Sequence, residues 1–88
     1  MHTEQIKEEV DKNIERLATL RDEVKLQLHL ASLDARTEWD EKLAPKVLEA
    51  EQTAKELTEA TRVSARELVT RVEEFLARVR ESARHSKH

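Results

Sequence analysis

Apolar residues recur along almost the whole chain in steps of three, four and seven. In the first half they are Ile6, Val10, Ile14, Leu17, Val24, Leu28, Ala31, Ala35, Trp39 and Leu43, with Leu20 beside them. Steps of that size return to one side of a helix with 3.6 residues per turn, so the pattern predicts a long amphipathic helix. Ile6, Leu17, Leu28 and Trp39 are eleven apart, the period of a nearly straight stripe rather than a strongly supercoiled one. In the second half Leu43, Val47, Ala50, Ala54, Leu57, Thr61, Ala65, Leu68, Val72, Phe75, Leu76 and Val79 make an equally regular stripe. Charged residues such as Glu8, Lys12, Arg21 and Lys25 fall outside the stripes, on faces left for water.

The first stripe carries an extra feature. Leu26, Leu30 and Leu33 recur at i, i+4 and i+7 on nearly the opposite side from Val24, Leu28 and Ala31. A single neighbouring helix covers one face, so these leucines, together with Trp39, are the candidate contact surface for another chain.

Between the two stripes stands Pro45, the only proline of a chain that has no glycine. Proline lacks an amide proton and its ring collides with the preceding turn. In a helix interior it costs roughly 3 kcal/mol, whereas the first turn of a helix accepts it freely. The expected fold is therefore all-α: one domain over residues 1–88, a helix over about 4–42, a turn around 41–46, and a second helix over about 45–84. Thr3 is the expected N-cap of the first helix, and residues 85–88 are expected to fray. The two helices would lie antiparallel as a hairpin, the bulky Leu68–Val79 end beside Ile6, Val10 and Ile14. Val24, Leu28, Leu57, Leu68, Val72 and Phe75 are the expected core anchors. Two such hairpins would then associate into a four-helix bundle or a coiled-coil-like oligomer.

Two alternatives compete with that hairpin. The stripe Trp39, Leu43, Val47, Ala50 runs through the proline without losing phase, as a single kinked rod would require. A break at Ser32 and Asp34, with Thr37 capping a new helix, would instead leave Pro45 as a kink inside that helix.

Composition narrows the function classes. Charged residues are 40% of the chain, in the Glu, Lys, Arg, Ala and Leu mixture of long helices and coiled coils. At 88 residues a single core is marginal, which favours self-association. With no cysteine there is no disulfide or thiolate site, and without glycine no glycine-rich phosphate loop. His29 has no glutamate three residues before it, so the Glu-x-x-His element of di-iron bundles is missing, and His2, His85 and His88 lie near the ends. A Ser/His/Asp set would need Ser32 or Ser64 held beside His29 in a cleft, which straight helical stripes rarely build, and Asp34 stands five residues from His29, on another face.

The expected protein is thus a non-enzymatic structural or interaction module, without cofactor or metal. Its expected partners are a second copy of itself, as a homodimer or higher homo-oligomer, or another helical protein. The net charge of −3 gives no general attraction to nucleic acid. The basic C-terminal segment nevertheless keeps one alternative open. Arg71, Arg78, Arg80, Arg84 and Lys87 are candidate phosphate contacts of a nucleic-acid-associated helical protein. No run approaches the ~20 apolar residues of a membrane span. The N-terminus lacks a signal-peptide core, which points to the cytoplasm.

Overall fold

The computed structural model describes the backbone of residues 3–85 and the side chains of residues 4–82. Its elements are α1 (Thr3–Leu28), α2 (Leu33–Glu38), a π-helical turn (Trp39–Leu43), α3 (Ala44–Thr53) and α4 (Glu59–His85). α2, the π-turn and α3 follow one another without interruption, so the chain forms three rods rather than two. They fill 54 × 19 × 16 Å, against about 130 Å for one continuous helix of this length. No strand occurs among the described residues.

The all-α expectation holds; the two-helix hairpin with a turn at 41–46 does not. The chain reverses at 29–32 and again at 54–58. Neither reversal uses glycine. At the first, the amides of Leu30 and Ala31 bond back to the carbonyls of Gln27 and Leu28, at 3.0 and 3.2 Å. The Arg36 guanidinium then donates to the carbonyls of Leu28 (3.0 Å) and His29 (3.4 Å), occupying the orphan acceptors at the end of α1. Ser32 is the N-cap of α2, its hydroxyl accepting from the Ala35 amide at 3.2 Å. Ser32→Ala should therefore cost about 1 kcal/mol, read as a lower denaturant midpoint. At the second reversal Thr58 caps α4, its hydroxyl accepting from the Thr61 amide at 3.1 Å.

Pro45 sits inside the middle rod. The amide of Ala44 reaches back five residues to the Trp39 carbonyl, the π pattern, and Ala44 itself stays helical at φ −57, ψ −43. That backbone is disfavoured before a proline, which is why the sequence pointed to a turn here. The wide turn has a second effect. Residues at i, i+4 and i+8 drift by about 40° per step on a regular α-helix. A turn with more residues offsets this drift, and Trp39, Leu43 and Val47 all end up buried on one face.

Two reversals make α1 and α4 parallel, not antiparallel. Three ion pairs record their register: Glu9–Arg62 (2.7 Å), Arg16–Glu73 (2.9 Å) and Glu23–Arg80 (2.8 Å). Exposed pairs of this kind contribute about 0–1 kcal/mol each, so they select alignment more than they supply stability. Arg62 also bonds Glu59 one turn before it. That bond holds the Glu59 carboxyl below its ordinary range and, with the Glu9 contact, raises the Arg62 guanidinium.

The core follows from the parallel pairing. Leu17, Leu20 and Val24 of α1 meet Leu68, Val72, Phe75, Leu76 and Val79 of α4, and Trp39, Leu43 and Val47 of the middle rod close the third side. The hairpin would have set Leu68–Val79 against Ile6, Val10 and Ile14; the parallel pairing sets it against Leu17, Leu20 and Val24 instead. Leu28 is only partly buried against this core, and Leu57, at the second reversal, is partly exposed. The Thr3 side chain that the expected cap needs lies outside the described residues, as do residues 86–88 of the expected frayed tail; the backbone of His85 is helical.

Candidate interaction surface

Among the described residues, the most exposed large apolar side chains stand at the corner where α1 turns into α2. Leu26 is 69% exposed, Leu30 68% and Leu33 76%; on α3, Leu48 is 55% exposed. Their position follows from the local sequence. Leu26 shares the last turns of α1 with Val24 and Leu28, which face inward, and so points away from the core. Leu30 stands in the reversal, and Leu33 is the first residue of α2, immediately after its Ser32 cap. The Arg36 bonds to the Leu28 and His29 carbonyls hold this corner in one shape. Three leucines are thus presented on hydrogen-bonded backbone rather than on a loose loop.

Trp39 does not belong to that surface. It is 4% exposed and stacks on Phe75, with ring centroids 5.7 Å apart and planes 29° from parallel. Its helical phase relative to Leu26 and Leu33 is interrupted by the reversal at 29–32, so the middle rod turns the indole inward. On the other side, the Arg78 guanidinium lies 5.7 Å from the Phe75 centroid, close enough for a cation–π contact.

The candidate phosphate contacts are not gathered into one basic patch. Arg78 is bonded to Glu38 (3.0 Å) and Arg80 to Glu23 (2.8 Å). Arg71 is exposed two turns before Arg78 and lines the same open trough, together with Lys42 and Lys46 but also with Glu38, Glu41, Glu49 and Glu74. The side chain of Arg84, and Lys87 altogether, lie outside the described residues. Each described arginine has a carboxylate near it or shares the trough with one, so the local potential is mixed rather than positive.

Two further observations bear on chemistry. Among the described residues no group of three or more His, Asp or Glu is placed to hold a metal ion. No described helix is long and apolar enough to cross a membrane. Comparison with protein-family models, curated proteins and solved structures returned no match. The composition and geometry of the surface are therefore what its function is read from.

Leu26 faces outward as its spacing within α1 predicts, whereas Leu30 and Leu33 lie in and beyond the reversal at 29–32, where that spacing no longer relates them to the main stripe. The sequence reading did not find Arg36, which shapes the corner. A guanidinium capping a helix end eight residues earlier leaves no periodic signal.

Proposed function

We propose that this chain is a non-enzymatic helical interaction module that self-associates through Leu26, Leu30 and Leu33. The observation that carries the reading is the concentration of exposed leucine at one rigid corner, in a chain whose other long apolar side chains are mostly buried. Contiguous apolar exposure of this kind marks contact surfaces. A second copy of the chain is the partner favoured by size, since a domain of 88 residues gains proportionally more than a large one from burying further surface.

Each chain brings three rods, so the assembly would join two three-helix units at their corners rather than merge two hairpins into a four-helix bundle. Trp39 stays inside its own chain in that arrangement. The nucleic-acid alternative has no comparable observation behind it, with Arg78 and Arg80 engaged by Glu38 and Glu23.

Sedimentation equilibrium tests the proposal. The wild-type chain should sediment at a multiple of 10.3 kDa in the micromolar range. Leu30→Glu should weaken association by roughly 30-fold or more, the effect of losing a central contact, with helicity retained because Leu30 is exposed and stands outside the helices. A wild-type monomer at these concentrations, or an unchanged mass for Leu30→Glu, would overturn it.

A further inference from the structure

The middle rod is not held uniformly. Its first half buries Trp39, Leu43 and Val47 against α1 and α4. Beyond Val47 the character changes. From Leu48 to Thr58 no side chain is buried, and Ala50 is the one residue of that stretch packed against the core. Between this stretch and the start of α4 runs an open trough of about 410 Å³, lined by small residues such as Ala50, Thr53 and Ser64 and by longer ones such as Glu56 and Arg71.

One strong contact ties the stretch down. Glu51 accepts from the Arg21 guanidinium of α1 at 2.7 Å, both side chains being partly buried. The same guanidinium has a buried Nε without a hydrogen-bond partner, so one of its donors has lost water and gained nothing in return. The latch is thus a single charged bond with an unmet donor at its base.

We propose that residues 48–58 form a strap that opens independently of the rest of the bundle and is kept down by the Arg21–Glu51 latch. The physical argument is local. Segments open with free energies set by the apolar surface they bury and the contacts that hold them. Here the apolar contribution nearly vanishes after Val47, while the flanking rods remain anchored by Leu17, Leu20, Val72 and Phe75. Opening widens the trough and uncovers Ala65 and Leu68 of α4, both buried in the closed form. The strap lies on a different segment from the leucine corner, and its opening does not depend on self-association.

Hydrogen exchange on the full chain, read by NMR, provides the test. In the wild type, amides of the helical residues 49–53 should exchange at least about tenfold faster than those of residues 17–24 and 68–79. Glu51→Gln should accelerate exchange at 48–58 a further several-fold and leave the other segments unchanged. Glu38→Gln removes the matched ion pair of the anchored half, to Arg78, and should leave exchange at 48–58 unaltered. Sedimentation mass should be the same for wild type and Glu51→Gln, which separates the strap from the proposed self-association. The proposal is overturned by protection at 49–53 equal to that of the flanking rods. It is equally overturned if Glu51→Gln raises exchange through all three rods, or if Glu38→Gln reproduces its effect at the strap.

Discussion

Val72→Asp is expected to unfold the chain at neutral pH. Val72 is completely buried in the middle of α4, within the cluster that also contains Leu17, Leu20 and Phe75. A carboxylate there loses its hydration with no cation beside it, and an unpaired buried charge is among the few single changes that cost more than about 4 kcal/mol. Small domains have a total stability of about 5–15 kcal/mol, with short chains toward the lower end. The far-UV circular dichroism of the variant should accordingly lose most of its helical signal. Acidification should restore part of it, because a neutral carboxyl is far cheaper to bury than a charged one. Thr70→Asp is the matched control. Thr70 is exposed two residues away on the same helix, and a surface change of this kind shifts stability within about 0.5 kcal/mol. If the two variants behaved alike, α4 would not present the face described.

Phe75→Ala should lower stability by about 3–5 kcal/mol through lost burial and the cavity left behind. Phe75 is the largest fully buried side chain, and it is where all three rods meet: α4 carries it, Trp39 of the middle rod stacks on it, and α1 contributes Leu17 and Leu20 to the same cluster. Trp39 is the only tryptophan, so its fluorescence reports directly on the docking of the middle rod. Chemical denaturation should show a lower midpoint with an unchanged slope. A double-mutant cycle between Trp39→Ala and Phe75→Ala should give a coupling of about 0.5–1.5 kcal/mol. That coupling also distinguishes folds. In an antiparallel hairpin turning at 41–46, residue 39 lies near the turn and residue 75 toward the open end, far from each other. Zero coupling would reject the three-rod arrangement.

The parts of this fold that could be read from the chain are those fixed within a few turns of helix. The inward face of α1 follows from the spacing of Val10, Leu17, Leu20 and Val24, and that of α4 from Leu68, Val72, Phe75 and Val79; both sets are buried. The outward position of Leu26 follows from the same arithmetic; Leu30 and Leu33 are exposed where the chain reverses. The reversals were harder to see. Helix hairpins usually announce themselves with glycine or asparagine, and here the turns are made instead by Ser32, Thr58 and a distant Arg36. The break at Ser32 was visible as an alternative, with Thr37 rather than Ser32 proposed as the cap. The break at 54–58 was not visible, because Ala54, Leu57 and Thr61 keep the apolar phase across it.

Pro45 shows why a strong local signal can mislead. Its cost within a helix is real, yet a π-turn accommodates it once Trp39, Leu43 and Val47 are all buried on the same side. Three core contacts outweigh one disfavoured pre-proline conformation.

The sequence by itself determined an all-helical chain and the buried face of its first and last helices. Those properties depend on residues three to seven apart, whose relative positions any helix fixes. Only the tertiary structure decided that there are three rods, that α1 and α4 run parallel, that Trp39 faces inward, and that Arg21 pairs with Glu51. These depend on where the chain reverses and on contacts between residues 30 to 57 positions apart, and helical periodicity carries no information over that distance.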